Sequence, residues 1–213
     1  RLATSDSMKF QICQDLGLRA SDLLQANCII WVEGPSDRVY LRAWISAIAS
    51  EMVEGIHYSI MFYGGRLLSH LEAEDSDITD FISLRRMNRR SFVVMDSDRG
   101  NSDCPINATK QRVAKEFTDE FSWITAGRDI ENYIDEQSLY ESLSDLYVDH
   151  FHALNNYGPY NHAFLYEDPS GKEKSADKVK LAYAVTSRPI NIDYLDLRQK
   201  VESLVQFIRD SND

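Results

Sequence analysis

Four short runs of apolar and β-branched residues are separated by segments with helical periodicity in the first two thirds of the chain. Runs of this length suit buried strands better than buried helices. They lie at residues 29–32, 58–63, 92–95 and 121–125. Between them, apolar residues recur at helical spacing after residue 37 and over 109–117. Strands that alternate with helices predict a parallel sheet with right-handed crossovers, which is an α/β fold.

The pattern changes after residue 135, where strand signals fade and helical periodicity dominates. An aromatic, irregular stretch at 150–167 interrupts it. We therefore expect a lead-in segment, an α/β domain and a C-terminal helical appendage, at 1–27, 28–135 and 136–213. Further helices are predicted at 10–24, 67–71, 78–87, 138–147, 176–185 and 194–208.

Carboxylates stand where two of the predicted strands end. Glu33 closes the first strand, Ser36 is the expected cap of the next helix, and Asp37 lies in its first turn. Asp96 and Asp98 follow the third strand. Because parallel strands end at one edge of a sheet, the four acids should meet there and repel one another. An acid at a strand end and an acid at a helix start are also common without any function. A hard divalent cation would relieve the repulsion, and Mg²⁺ is the usual one with phosphate substrates.

The segments that carry these acids resemble the Toprim domain of topoisomerases, DnaG-type primases and several nucleases. They read Glu-Gly-Pro-Ser-Asp at 33–37 and Val-Val-Met-Asp-Ser-Asp-Arg at 93–99. Two further segments resemble the overcoming-lysogenization-defect (OLD) family of ATP-dependent nucleases. They are residues 16–27, which lead into 31–37, and residues 127–133, which read Gly-Arg-Asp-Ile-Glu-Asn-Tyr. The resemblance extends over roughly residues 15–190. It implies a Rossmann-like Toprim sheet flanked by helices.

The resemblance also implies roles for single residues. Glu33 becomes a metal ligand or general base, and the other metal ligands are Asp37, Asp96, Asp98 and Glu131. Gly100 stands where many Toprim proteins carry a third acid, so Glu131 is expected to complete the site, with Asp129 as the alternative. Lys178 is the expected catalytic lysine, and Lys180 is the alternative. A point cation there would stabilise charge that develops on a phosphoryl oxygen.

Basic residues elsewhere are candidates for contacts with DNA phosphates. They are Arg66, which follows two glycines, Arg85, Arg86, Arg89 and Arg90 before the third strand, and Lys172 and Lys174 in the appendage. A solvated face explains the arginines equally well and the two lysines better. His150 and His152 lack a matching cysteine or third histidine, which argues against a zinc site.

Charge, cysteine content and hydropathy bear on the partners and the location of the protein. The formal net charge of −11 argues against nucleic-acid binding by bulk charge, so the metal and local basic clusters must offset it. The three cysteines form no CxxC pair, which fits a reducing cytoplasm. No run approaches the ~20 apolar residues of a membrane span, so no membrane partner is expected.

The function implied by the resemblance is that of a DNA endonuclease with two Mg²⁺ or Mn²⁺ ions, with Ca²⁺ as a substitute in a crystal. The chain starts with Arg1 and has no Walker-type loop, so ATP would act only through an upstream ATPase domain of the same polypeptide. That domain would also mediate any homo-oligomer. The alternatives are a topoisomerase or primase, and a Toprim module that binds without catalysis.

Overall fold

The computed structural model describes residues 27–63 and 90–213. The α/β part contains β1 (Ile29–Val32), α1 (Pro35–Ile48), β2 (Ser59–Phe62), β3 (Ser91–Met95), α2 (Ala108–Phe117) and β4 (Ser122–Ile124). The remainder contains α3 (Glu136–Leu146), β5 (Ala153–Leu154), β6 (Leu165–Glu167), β7 (Glu173–Ser175), α4 (Lys178–Thr186) and α5 (Leu197–Asn212). Two short 3-10 helices lie at Asp119–Phe121 and Ile130–Tyr133. The helices predicted at 10–24, 67–71 and 78–87 lie outside the described residues.

Four strands form one parallel sheet in the order β2-β1-β3-β4. Ile30 pairs with Ile60 on one side and with Phe92 on the other, and Val94 pairs with Trp123. β1 and β3 are buried along their whole length, because helices flank the sheet. The prediction of an α/β fold with a parallel sheet is confirmed. All four strands therefore end at the same edge, where the acids were expected.

The start of α1 differs in detail from its prediction. Gly34, not Ser36, is the N-cap, and Pro35 occupies the first turn, where its missing N–H costs no hydrogen bond. Asp37 turns back, and its Oδ2 accepts the Gly34 N–H at 3.0 Å. The same carboxylate therefore closes the helix N-terminus and faces the end of β1.

The region after residue 135 is not purely helical, so the expectation of a helical appendage is wrong in this respect. β5, β6 and β7 form a small antiparallel sheet in that order. Its strands have two or three residues and only partial burial, so neither an apolar run nor a period-2 pattern develops. The tight turn at Asp168–Gly171 before β7 uses Gly171 with a positive φ of 75°.

One hydrophobic core extends across residue 135. α4 and α5 both pack against α1, and buried residues of both helices join those of the parallel sheet. Tyr133 joins the two regions, since its hydroxyl donates to Asp196 Oδ1 at 2.7 Å while it accepts the Trp123 Nε1–H. None of the helices within the described residues is long and apolar enough to cross a membrane.

Replacing Trp44 by alanine should lower the free energy of unfolding by about 3–5 kcal/mol. The Trp44 ring lies 5.4 Å from Tyr40, 6.2 Å from Trp123 and 6.0 Å from Tyr133, so its loss opens a cavity between α1 and the sheet. Urea unfolding followed by circular dichroism measures the change. Val148→Ala is the control, because Val148 is 76% exposed and should change stability little. A loss below about 1 kcal/mol for Trp44→Ala would contradict this packing.

Candidate metal centre

The carboxyl edge of the sheet brings the predicted acids together. Glu33 follows β1 and Asp96 follows β3, and Glu33 Oε1 accepts the Asp96 N–H at 3.1 Å. Asp96 Oδ1 accepts the N–H of Ile130 at 2.7 Å, which fixes the 3-10 helix that carries Glu131 against the end of β3. Acids from three separate chain segments thus meet, as expected from strands that end side by side.

Three of the acids are buried. Asp37 is 6% exposed, Asp96 is 9% exposed and Glu131 is fully buried. Burial raises the pKa of Asp37 to about 6, and the Glu33 charge adds to the rise. Burial also raises the pKa of Asp96 well above its usual range, with Glu33 and Asp37 contributing repulsion. The cluster therefore binds protons strongly, and a bound cation would compete with those protons.

Glu131 has one satisfied and one unsatisfied oxygen. Its Oε2 accepts from Lys178 Nζ at 3.2 Å, whereas its buried Oε1 has no hydrogen-bond partner among the described residues. Burial raises the pKa of Glu131 to about 7, although Lys178 opposes the rise. A buried carboxylate oxygen without a partner is costly, so it needs a proton or a cation.

Lys178 reaches this edge from the first turn of α4. Asp177 caps the helix, because its Oδ1 accepts the Lys180 N–H at 2.9 Å, and this places Lys178 beside Glu131. The Lys178 ammonium also lies 4.5 Å from the centre of the Phe164 ring. Burial tends to lower the pKa of Lys178, but the Glu131 and Asp129 carboxylates outweigh it and the pKa is raised. Lys178 therefore carries its positive charge at neutral pH.

Lys110 is a part of the site that the sequence reading missed. It lies in the first turn of α2 and is 2% exposed. Its Nζ donates to Glu33 Oε1 at 3.2 Å, to the Asp96 carbonyl oxygen at 2.7 Å and to Asp98 Oδ2 at 2.5 Å. The sequence contains an indication of this role. The buried positions of α2 are 110, 113, 114 and 117, which is the spacing of one helix face. A lysine on an otherwise apolar face needs a buried partner.

The turn after β3 aims Asp98 at this lysine. Asp98 has a positive φ of 56°, a conformation that aspartate tolerates better than most residues. The Asp98 N–H bonds to the Arg128 carbonyl at 3.0 Å, and Ser97 Oγ donates to the Gly127 carbonyl at 2.6 Å. At Gly127 a Cβ atom would come within 2.6 Å of both Asn132 Cβ and the Pro159 carbonyl oxygen. The glycine thus lets the backbone at Pro159 and the side chain of Asn132 approach the start of the 127–133 segment.

The other predicted residues are not brought to this edge. Lys180, which lies in the first turn of α4 just before its buried residues, is exposed, and Lys172 is exposed beside β7. Lys174 lies in β7 and pairs with Asp168 at 3.6 Å. Arg90 lies at the opposite end of β3 from Asp96, where its guanidinium donates to the Ser211 carbonyl oxygen of α5. Arg66, Arg85, Arg86 and Arg89 lie outside the described residues.

The donor set fits a hard divalent cation. Its members are carboxylates, its buried members bind protons strongly, and one oxygen of Glu131 lacks a partner. Within residues 27–63 and 90–213, no three Asp, Glu, His or Cys side chains converge closely enough to hold an ion as they stand. Lys110 and Lys178 instead bind carboxylate oxygens that an ion would use. Cation binding at this edge therefore requires these side chains to rearrange.

Asp129, the alternative acid, has other partners. It is 6% exposed, and its Oδ2 lies 3.4 Å from His162 Nδ1 and 4.0 Å from Arg128 Nε. It also begins the 3-10 helix of Glu131.

Comparison with protein-family models, with curated proteins and with solved structures finds no match for this chain.

Proposed function

We propose that this chain is the nuclease part of a Toprim protein of the OLD type and hydrolyses DNA phosphodiester bonds with divalent cations. The observation that carries the proposal is the group of three buried acids, Asp37, Asp96 and Glu131, at the carboxyl edge of a parallel sheet. A fold gains no stability from burying acids that repel one another. A cluster of buried acids with raised pKa values is instead typical of a functional site, and the two lysines beside it suit a phosphate substrate.

Glu33, Asp37, Asp96, Asp98 and Glu131 would hold the cations. Bound Mg²⁺ or Mn²⁺ would supply an activated water and stabilise the charge of the leaving oxygen. Glu33 is 30% exposed, so solvent and substrate can reach it, and it is the acid that accepts a proton from the attacking water. The attack breaks the bond between phosphorus and the leaving oxygen, and that oxygen then takes a proton from solvent.

Lys178 provides a positive charge for the scissile phosphate. It is 38% exposed, in contrast to the buried Glu131 that it contacts, so the ammonium can bind a phosphoryl oxygen while Glu131 stays covered. The charge on that oxygen grows as the attacking water approaches, so the ammonium stabilises the transition state more than the ground state. Lys172, Lys174 and the predicted arginines would contact the DNA backbone away from the reacting group. ATP would act through an upstream ATPase domain only.

Supercoiled plasmid incubated with the protein and Mg²⁺ or Mn²⁺ tests this function. Nicked or linear products support a nuclease, whereas closed relaxed circles would indicate a topoisomerase. EDTA should abolish the cleavage. Tyr40 and Tyr63, whose pKa values are raised by burial and by the charges of these acids, are both buried, so neither is presented as a nucleophile. An unchanged plasmid with every metal, also after addition of the ATPase domain, would contradict a nuclease and favour a binding module.

Replacing Glu131 by glutamine should remove one of two Mn²⁺ sites or lower its affinity by about tenfold or more. Glutamine keeps the shape but loses the charge and one ligand oxygen. Calorimetric titration with Mn²⁺ in the absence of DNA measures sites and affinities. Glu167→Gln is the control, because Glu167 lies in β6 of the small antiparallel sheet and not at the carboxyl edge of the parallel sheet. Two unchanged sites in the folded variant would contradict the assignment, and Asp129 and Asp103 would then be the acids to test.

A further inference from the structure

The ammonium of Lys110 occupies the side of the acidic edge formed by Glu33 and Asp98. It makes three hydrogen bonds, to Glu33 Oε1, to Asp98 Oδ2 and to the Asp96 carbonyl oxygen. An ammonium group has three donors, so all of its hydrogens are used. It is 2% exposed, whereas Asp98 is 54% exposed and Glu33 is 30% exposed. Lys110 is therefore buried against two carboxylates that are themselves partly open to solvent.

This arrangement differs from that of Lys178. Lys178 contacts a single carboxylate oxygen and is 38% exposed, so it remains open to a substrate. Lys110 has all three donors satisfied by the protein and almost no exposed surface, so it cannot reach a phosphate without leaving its acids. Its partners are also two of the acids assigned to the metal. The Lys110 ammonium and a divalent cation would thus compete for the same oxygens.

We propose that Lys110 is an internal cation that competes with a divalent cation for Glu33 and Asp98. This inference rests on the proposed function. At low cation concentration the ammonium neutralises the two acids and keeps them together. A divalent cation with twice the charge displaces it, and the ammonium moves out on its flexible four-carbon stem. Val113 and Phe117 anchor α2 in the core, so the helix itself can stay in place. Lys110 thereby sets the concentration at which a divalent cation binds to Glu33 and Asp98.

Calorimetric titration of Mn²⁺ into the wild type and into Lys110→Met, without DNA, tests the competition. Methionine has a similar length and suits the buried position, but it carries no charge. We expect one Mn²⁺ site to bind about tenfold or more tightly in the variant, or one additional ion to bind. The thermal unfolding midpoint in EDTA should fall, because Glu33 and Asp98 lose their counter-charge. Lys115→Met on the exposed side of α2 is the matched control and should match the wild type.

The outcomes separate this inference from the function on which it rests. Lower stability with an unchanged or weaker Mn²⁺ affinity would mean that Lys110 is only structural, and it would overturn the competition alone. The absence of Mn²⁺ binding by wild type and variant alike would overturn the metal centre and this inference together. Cleavage of plasmid by the wild type is measured separately and does not decide the role of Lys110.

Chemical labelling of lysines in the wild type provides a test that does not depend on folding of the variant. Displacement by a cation should expose the Lys110 amine, so an amine-reactive reagent should modify it several-fold faster in Mg²⁺ than in EDTA. Mass spectrometry of peptides gives the rates, and exposed Lys115 is the internal reference. Equal labelling of Lys110 with and without Mg²⁺ would overturn the proposal.

Discussion

Replacing Asp96 by asparagine should reduce metal-dependent DNA cleavage by about 10²–10³-fold or more. Asp96 is nearly buried at the centre of the acidic edge, between Glu33 and the 3-10 helix of Glu131. Its Oδ1 accepts the Ile130 N–H at 2.7 Å, so alanine would remove a structural hydrogen bond as well as a charge. Asparagine can keep the acceptor and removes only the charge and one ligand oxygen. Initial rates of plasmid nicking in Mg²⁺ and in Mn²⁺ measure the loss.

The same substitution should increase stability in EDTA above neutral pH. The folded protein raises the pKa of Asp96 well above its usual range, through burial first and then through repulsion from Glu33. Between the pKa of Asp96 in the unfolded state and its higher pKa in the folded state, the folded protein keeps a proton that the unfolded chain has lost. The stability of the wild type therefore falls as the pH rises from the lower to the higher of these two values. The asparagine side chain does not titrate, so the variant should unfold at a higher temperature than the wild type at pH 8. The two midpoints should converge below about pH 3, where Asp96 is protonated in both the folded and the unfolded wild type.

A control for both measurements is Asp149→Asn, which removes an exposed acid after α3 and should leave cleavage and stability unchanged. Cleavage at the wild-type rate by folded Asp96→Asn would exclude Asp96 from the site. If the midpoints of the variant and the wild type differ equally at about pH 3 and at pH 8, ionisation of Asp96 is not the cause of the difference.

The strand ends were the most predictable part of this protein. β1 and β3 are short apolar runs that end in acids, and strands of one parallel sheet end at one edge. Local sequence therefore sufficed to predict that Glu33 and Asp96 are neighbours, and the 3.1 Å hydrogen bond between them confirms it. The choice of Lys178 as the catalytic lysine came from the family resemblance rather than from periodicity, and its contact with Glu131 was not predicted. These residues are 47 positions apart, and only the packing of α4 against α1 and α3 brings them together.

Long-range pairing explains what the sequence did not predict. Lys110 reaches Glu33 across 77 positions, so no local pattern links the two, and only a polar residue on the apolar face of α2 hinted at it. The strands β5–β7 are too short for a periodic signal, and they form because β6 pairs on both sides. The N-cap of α1 is Gly34, although serine, which stands at position 36, is the more strongly preferred N-cap residue. Pro35 decides the outcome, because it is favoured in the first turn of a helix.

Replacing Lys178 by alanine should lower the maximal cleavage rate by about 10²–10³-fold and change DNA affinity little. The Lys178 ammonium is the only described cation that contacts Glu131, and it stays charged because the surrounding carboxylates raise its pKa. Its charge is worth most when negative charge accumulates on the phosphoryl oxygen in the transition state. Single-turnover cleavage at saturating protein measures the chemical step, and fluorescence anisotropy in Ca²⁺ measures binding.

Matched controls on and near α4 make the test specific to Lys178. Lys180→Ala removes an exposed lysine two positions later, and Lys172→Ala removes one beside β7; neither should slow cleavage more than a few-fold. Because Lys178→Ala also leaves buried Glu131 without its counter-charge, the variant should unfold more readily in EDTA at pH 8. Combining it with Glu131→Gln removes that penalty, so the double variant should regain stability. A large loss of cleavage in Lys180→Ala with normal cleavage in Lys178→Ala would assign the catalytic charge to Lys180.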